Sequence, residues 1–391
     1  MFRNFTFYIP RTVFGVGESK KLSIYVKKLG GTKALVLFDQ GVKKAGVVEP
    51  IIAALNADGI ETAVFDQVVA DPSMESVDAA AECAIKEKVD ILIAVGGGST
   101  IDTGKTARML VTNGGRAADY TVDKGVDLFT KPGLPYIVVP TTSGTGSEVT
   151  FSSVLTNTEI DRKVAVRDFQ KMPVDFAILD PETVLTVPPS VTASCGMDVL
   201  THAAEAYLKP TATPFSDAIN LYAVELCMQN LEKAVKDGSD IEARANMMIA
   251  CTMAGAGIAS CGLHLGHGMA QAMGAIWHQP HGVTCAWALP YVYEHVCELM
   301  PEKSKMLAKA YGIQLSGEES PAEVKDLLFN ETWALNKRIG IPTLKEKGFT
   351  EEKDFEDAIQ ATAREQRLCQ QSIRPFTEED SRKYYHDLFN R

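Results

Sequence analysis

The chain has 391 residues, enough for two or three domains, and its 46% hydrophobic and 23% charged residues exclude a disordered protein. A formal net charge of −11 excludes nucleic acid and anionic membranes as partners and favours a small-molecule ligand. The N-terminus lacks a signal-peptide pattern and no apolar run reaches the length of a membrane span, so we expect a cytoplasmic protein.

The first 186 residues alternate short apolar runs with helical segments. Strands are predicted at 4–14, in KALVLFD, in TAVFDQV, in VDILIAV and in LPYIVVP, and helices at 43–57, at 73–88 opened by Ser73, and at 101–112. Continuous apolar runs of this length are typical of strands buried on both faces. The alternation therefore predicts a parallel sheet with helices on both faces.

After residue 186 the apolar residues recur with a helical period and strand signals nearly vanish. Helices are predicted at 190–209, 214–236, 241–273, 283–298 and 301–312. We therefore predict an α/β domain over residues 1–186, followed by a helical domain over residues 187–391.

Four groups that can bind a metal lie in the helical half, in two clusters. Asp198 and His202 have D-x-x-x-H spacing, which places both side chains on one helix face. His267 and His281 belong to LHLGHGMAQAMGAIWHQPHG, which holds four of the seven histidines. A surface Asp–His pair would explain the first motif alone, but the second cluster and the nucleotide-binding signals favour one metal site.

The eight cysteines have neither CxxC spacing nor the density of a disulfide-stapled chain, so reduced thiols are expected. Cys195, Cys261 and Cys285 lie close in sequence to the metal candidates. Because histidine and carboxylate already complete a set of four, we expect no thiol to act in the site.

Two loops rich in small residues follow predicted strands. GGGSTID, residues 96–102, allows close backbone approach to a pyrophosphate at a helix N-terminus, which Ser99 is expected to cap. TTSGTGSE, residues 141–148, repeats the arrangement. Neither has the GxGxxG spacing, so a tight turn and a capped helix entry stay open as alternatives.

Asp39 ends the second predicted strand. An acid there can accept hydrogen bonds from ribose hydroxyls and would repel a 2′-phosphate, which favours NAD over NADP. The alternative is an aspartate that starts a turn.

Four segments in this order, GGGSTIDTGK, PTTSGTGSEVT, GMDVLTHAAEAY and HGMAQAMGAIWHQPHG, resemble the iron-containing (group III) alcohol dehydrogenases. The resemblance extends from FGVG near residue 15 to LPYV at 289–292. It implies a Rossmann-like N-terminal NAD-binding domain and an all-α C-terminal domain, the fold shared with dehydroquinate synthase. It also implies that metal and nicotinamide meet in a cleft, and a homodimer or higher homo-oligomer is expected.

The resemblance assigns residues to roles by position. The metal ligands fall on Asp198, His202, His267 and His281, and the cofactor residues on Asp39, Gly96, Gly97, Gly98, Ser99, Asp102, Thr141, Thr142, Thr145, Ser147 and, less closely, Lys163. Many members carry a further histidine ten residues before the last ligand, where this chain has Gln271. Glutamine cannot titrate, so His278 is the nearest ionisable substitute. Separately, Phe151 is a candidate wall of the substrate pocket. His264 is equally well explained as a packed side chain.

These residues predict a metal-dependent NAD(H) oxidoreductase that interconverts a small primary alcohol and its aldehyde by hydride transfer. Three histidines and a carboxylate suit Fe(II), although Zn(II), Mn(II), Co(II) and Ni(II) accept similar ligands. An alternative is a reductase of a charged short aldehyde, converting sulfoacetaldehyde to isethionate or succinic semialdehyde to 4-hydroxybutyrate. A non-redox lyase like dehydroquinate synthase, and a metal- and nucleotide-binding protein without turnover, are further alternatives.

Overall fold

The computed structural model describes residues 6–160, 162–349 and 355–391. The chain divides into two compact units. The first is Tyr8–Val187, and the second is Pro188–Arg391 joined by Thr6 and Phe7.

The first unit is built on a six-stranded parallel sheet. Its strands are β1 (Arg11–Phe14), β2 (Lys33–Asp39), β3 (Glu61–Val68), β4 (Ile91–Gly96), β5 (Tyr136–Pro140) and β8 (Phe176–Leu179). They lie in the order β1-β8-β5-β4-β2-β3. A separate antiparallel pair, β6 (Ser152–Asn157) and β7 (Arg162–Arg167), was not predicted. The parallel sheet is confirmed.

Helices cover both faces of this sheet, as predicted. They are α1 (Leu22–Lys28), α2 (Gln40–Lys44), α3 (Val48–Ala57), α4 (Met74–Glu87) and α5 (Gly98–Asn113). Along β2, Leu35 and Leu37 enter one apolar core while Val36 enters the other, which explains the continuous apolar run. The Ser73 cap on α4 is confirmed, because its hydroxyl accepts the N–H of Ser76. The single helix predicted at 43–57 is wrong: it breaks at Gly46, whose φ is +73°.

The second unit is helical, and none of its described residues forms a strand. Its helices are α6 (Pro189–Tyr207), α7 (Pro214–Lys236), α8 (Ile241–Cys261), α9 (Leu265–Trp277), α10 (His281–Val296), α11 (Pro301–Ala310), α12 (Pro321–Arg338), α13 (Glu356–Arg364), α14 (Gln366–Cys369) and α15 (Glu378–Asn390). Helix α6 packs against α7, α8 and α10, and these helices share one apolar core.

The helix predicted over 241–273 is wrong, because α8 ends at Cys261 and α9 starts at Leu265. The chain bends by 105° between them, at Gly262 with φ +78°. Lys209 holds this bend, since its Nζ donates to the carbonyl of Leu263 at 2.7 Å. Among the described residues no single helix is long and apolar enough to cross a membrane; only the bent pair α8–α9 passes such a test jointly.

Hydrogen bonds from a buried lysine on α5 join this helix to the segment after β5. Lys105 is fully buried, and its Nζ donates to Ser147 Oγ, Thr150 Oγ1 and the carbonyl of Ser152, each at 2.9 Å. The same Nζ atom lies 3.8 Å from Asp102 Oδ1. Burial lowers the pKa of Lys105 to about 8, although Asp102 opposes the shift.

Replacing Lys105 with Met should therefore leave Asp102 as an uncompensated buried charge. We expect a loss of about 3 kcal/mol or more in the free energy of unfolding, measured as a shift of the urea midpoint. Lys43→Met is the matched control, because its bond to Asp66 is partly exposed and should contribute less than about 1 kcal/mol. Equal shifts in the two variants would contradict this account.

Candidate active site

Helices α6, α9 and α10 bring together all four predicted metal ligands. Asp198 and His202 lie one turn apart on α6, His267 lies in the first turn of α9, and His281 begins α10. Asp198 Oδ1 is 3.4 Å from His267 Nε2, 3.6 Å from His281 Nε2 and 3.7 Å from His202 Nδ1. The rings of His202 and His267 stack with their centroids 4.4 Å apart. One carboxylate oxygen thus faces three imidazoles.

The cluster is buried on most sides. Asp198, His202 and His267 are buried, whereas the side chain of His281 is 36% exposed, so solvent reaches the cluster beside His281. Burial lowers the pKa of His202 to about 4, against the opposing charge of Asp198. Burial alone would raise the pKa of Asp198, but His202 and His281 outweigh it and hold the pKa below its ordinary value. Asp198 and His202 thus have the protonation states of metal ligands. Burial would lower the pKa of His267, but contacts with Cys285, Asp198 and Glu205 outweigh it and raise the pKa.

Cys285 is a member of the cluster that the sequence analysis had excluded. It lies on α10 one turn after His281, and its Sγ is 3.5 Å from Asp198 Oδ1, 3.6 Å from His281 Nε2 and 3.8 Å from His267 Nε2. Burial raises the pKa of this thiol to about 12. His281 and Cys285 have the same i, i+4 spacing as Asp198 and His202, which places both side chains on one helix face. This spacing could have revealed that Cys285 belongs to the cluster.

Glu205 is a functional candidate that the sequence analysis missed. It is fully buried on α6, and its Oε2 lies 2.5 Å from His267 Nδ1 and accepts the backbone N–H of His267 at 3.1 Å. Its Oε1 accepts the N–H of Gly266 at 2.6 Å. Burial would raise its pKa, but His264 and His267 outweigh it and lower the pKa to about 2. The i, i+4, i+7 series of Asp198, His202 and Glu205 marks one helix face and could have revealed it.

This carboxylate orients the candidate ligand. When Nδ1 of His267 carries the proton and donates to Glu205, Nε2 is left as the lone-pair atom facing Asp198. His264 is completely buried just before α9, with its Nδ1 3.6 Å from Glu205 Oε1, in keeping with a packed role.

The other two residues considered in the helical unit belong to α9: Gln271 lies within this helix, and His278 is its C-terminal cap. His278 ends α9 in a left-handed conformation with φ +50° and is exposed. Gln271 lies one turn after His267 on α9, and its Oε1 accepts a hydrogen bond from Arg367 Nη2 at 3.3 Å. Phe151 belongs to the first unit, where its ring packs on Phe169 with centroids 4.5 Å apart.

The predicted nucleotide residues gather at one edge of the parallel sheet. Strands β2, β4 and β5 are neighbours, so their carboxyl ends place Asp39, the 96–99 loop and the 141–147 loop along the same edge. The direction of chain progression across the sheet reverses between β2 and β4. Ligands of open parallel sheets bind at such a switch point.

The glycines of the first loop are required by contact with the second. A Cβ on Gly98 would lie 2.6 Å from Thr145 Cγ2, and one on Gly97 would lie 2.9 Å from Thr142 Oγ1. The prediction that Ser99 caps α5 is wrong. The cap position is Gly97, and Ser99 lies in the first turn, where its Oγ accepts the N–H of Asp71 at 3.3 Å.

Three further residues of the predicted nucleotide set have protein partners. Asp39 caps α2 by accepting the N–H of Val42 on Oδ1 at 2.9 Å, which is the turn alternative left open above. Asp102 accepts from Ser147 Oγ at 2.5 Å and from the N–H of Val154 at 2.8 Å. Lys163 lies on β7, with its Nζ 2.6 Å from Asp71 Oδ1.

Family sequence models match almost the whole chain. The model described as iron-containing alcohol dehydrogenase matches residues 10–181, and the model of the family's C-terminal region matches residues 192–389. The chain belongs to the iron-containing alcohol dehydrogenase family. It is therefore an alcohol oxidoreductase by descent, and the resemblance inferred from its motifs is confirmed.

Individual relatives cover nearly the full length. The chain is 36% identical over 384 residues to long-chain-alcohol dehydrogenase 1 of Geobacillus thermodenitrificans, covering 97% of this chain and 95% of the relative. Among solved structures, a 1,3-propanediol oxidoreductase aligns with TM-score 0.92 and 33% identity over 99% of this chain and 100% of that one. Sulfoacetaldehyde reductase from Bifidobacterium kashiwanohense in complex with NAD⁺ aligns with TM-score 0.87 and 27% identity over 99% of each chain.

Replacing Glu205 with Gln should weaken metal binding, although it leaves every candidate metal ligand of this alcohol dehydrogenase family member in place. Loss of such a hydrogen-bond partner typically costs 10–100-fold in metal affinity, and we expect about that range in a Co²⁺ or Zn²⁺ titration of metal-free protein. Glu225→Gln, on the outer face of α7, is the matched control. Unchanged affinity in Glu205→Gln would show that His267 needs no such support.

Proposed function

We propose that this protein is a metal-dependent NAD(H) oxidoreductase that interconverts a small primary alcohol and its aldehyde. The observation that carries the proposal is the buried cluster of Asp198, His202, His267 and His281, with Glu205 hydrogen-bonded to His267. Residues 1–186 would bind the nucleotide and residues 187–391 the metal. The protein would act as a homodimer or higher homo-oligomer.

The chemistry of the cluster fits a divalent metal. His202 Nδ1 is buried without a hydrogen-bond partner and lies 3.7 Å from Asp198 Oδ1, so a bound cation would satisfy an otherwise costly polar atom. Three imidazoles and one carboxylate suit Fe(II), which also tolerates the additional coordination position that catalysis needs. The family description supports iron, and Zn(II), Mn(II), Co(II) and Ni(II) are the other candidates.

NAD(H) is the proposed nucleotide. Asp39 stands at the switch point of the sheet, where an acid favours ribose hydroxyls over a 2′-phosphate. The cofactor set we propose is Asp39, Gly96, Gly97, Gly98, Ser99, Asp102, Thr141, Thr142, Thr145, Ser147 and Lys163. The NAD⁺ complex of the sulfoacetaldehyde reductase supports this choice.

A bound metal would polarise the substrate oxygen as a Lewis acid, and the nicotinamide would exchange hydride with the carbon that bears it. The chain holds and shields this chemistry. Glu205 fixes the tautomer of His267, the burial of Asp198 and His202 excludes bulk water, and the exposed side of His281 admits substrate. We assign proton exchange with solvent to exposed His278 and a wall of the pocket to Phe151. Gln271 cannot transfer a proton.

A charged short aldehyde is a second candidate substrate, because one contact favours it. Arg367 donates to Gln271, which lies on α9 one turn beyond His267. A guanidinium there offers the anchor that a sulfonate or carboxylate requires. Sulfoacetaldehyde and succinic semialdehyde fit this chemistry, whereas a cationic alcohol would be repelled.

Replacing His267 with Ala should remove metal and turnover together. We expect metal affinity to fall by more than about tenfold, measured as metal content after dialysis, and net NADH formation from an alcohol to fall to background. His386→Ala, on the exposed face of α15, is the control. A metal-free His267→Ala protein with normal turnover would refute the site. Wild-type protein that produces no net NADH from any alcohol would instead favour the non-redox lyase or the inactive binding protein.

Replacing Arg367 with Gln separates the two substrate classes. If the substrate is anionic, kcat/KM for isethionate or 4-hydroxybutyrate should fall about tenfold while that for 1,3-propanediol stays unchanged. Arg364→Gln, on exposed surface of α13, is the matched control. Wild-type activity confined to uncharged alcohols would eliminate the charged candidate.

A further inference from the structure

The four donor atoms of Asp198, His267, His281 and Cys285 all lie within 4.8 Å of one another. A tetrahedral Zn²⁺ with one sulfur ligand and three nitrogen or oxygen ligands requires donor-to-donor distances of about 3.3–3.7 Å. The distances from Asp198 Oδ1 are 3.4 Å to His267, 3.6 Å to His281 and 3.5 Å to the Cys285 sulfur. The sulfur lies 3.6 Å and 3.8 Å from the two imidazole nitrogens. Four of these five distances therefore lie within the tetrahedral range, and the distance from the sulfur to His267 Nε2, 3.8 Å, lies just above it.

The contacts of Cys285 separate it from the other cysteines. Cys227 and Cys261 direct their sulfurs to backbone carbonyls, of Gly196 and of Ala206 and Gly257, as ordinary packed thiols do. Each contact of the Cys285 sulfur is instead to a donor atom of the proposed metal site. Its position on α10 places it on the same helix face as His281.

We propose that Cys285 is a metal ligand, which completes with Asp198, His267 and His281 a closed four-coordinate set for a thiophilic divalent cation such as Zn²⁺. The proposal rests on the metal site proposed above and adds a second set that shares three of its members. When the sulfur–metal bond forms, the thiol proton passes to solvent and no atom is oxidised or reduced. In this set His202 is not a ligand.

The two sets have different consequences. The set with His202 contains only nitrogen and oxygen donors, whereas the set with Cys285 contains a soft sulfur, which selects Zn²⁺ over Mn²⁺ or Fe²⁺. A closed tetrahedral set leaves no position for a substrate oxygen. Zinc held by Cys285 would therefore produce an inactive form, and the identity of the metal would decide activity at one site.

X-ray absorption of the zinc-loaded protein tests the proposal directly. We expect one sulfur neighbour at about 2.3 Å from zinc in the wild-type protein and none in Cys285→Ser. The Co²⁺-loaded wild-type protein should show a thiolate-to-cobalt charge-transfer band in the near ultraviolet, which Cys285→Ser should lack. Removal of the ligand should weaken Zn²⁺ binding at least about tenfold and leave Mn²⁺ binding almost unchanged.

Two further variants make the outcome decisive. Cys195→Ser replaces a thiol near Asp198 that lies outside the cluster, and it should keep both the sulfur neighbour and the band. His202→Ala should keep them as well, because His202 is absent from the closed set. Zinc with only nitrogen and oxygen neighbours in the wild-type protein would overturn the role of Cys285 and leave the proposed function intact. Zinc bound equally well by His267→Ala would refute the metal site itself, and circular dichroism of each variant verifies its fold.

Discussion

The site depends on one buried carboxylate. Glu205 on α6 accepts hydrogen bonds from two backbone N–H groups in the first turn of α9 and from the ring of His267. It therefore satisfies a helix N-terminus and orients a candidate ligand with the same two oxygens. Because α6 also carries Asp198 and His202, this contact fixes the distance between the two sequence clusters. The bend at Gly262 makes the contact possible, since a continuous helix would carry His267 away along the axis of α8.

In the first unit, close contacts between loops and buried charged side chains likewise hold separate segments together. Its two small-residue loops touch, so Gly97 and Gly98 are needed for the fit between the loops. Beneath them Lys105 and Asp102 join the start of α5 to the segment around Ser147. The polar groups of this edge are thus placed by rigid elements, which is the condition for holding a ligand in a fixed position.

The sequence predicted the elements whose signals are local. Strands such as KALVLFD are apolar on both faces, and Ser73 has a capping geometry that depends only on its neighbours. Asp198, His202, His267 and His281 were predicted from spacing and resemblance, and the structure places them together. Glu205 was missed because a helical glutamate normally faces solvent, and only tertiary packing shows its burial. A count of ligands predicts no role for Cys285, because a count contains no information about distances. The break at Gly262 was hidden because the apolar pattern continues through it.

Charge explains why the choice between His202 and Cys285 matters. Asp198 and Glu205 place two negative charges in a buried volume, and a bound divalent cation would balance them. With Cys285 as a thiolate ligand the same volume would carry one further negative charge. A substrate oxygen that gains negative charge during the proposed hydride transfer would be stabilised by the balanced set and opposed by the other. The proposed set with His202 would therefore be suited to catalysis, and the proposed set with Cys285 to tight retention of a metal.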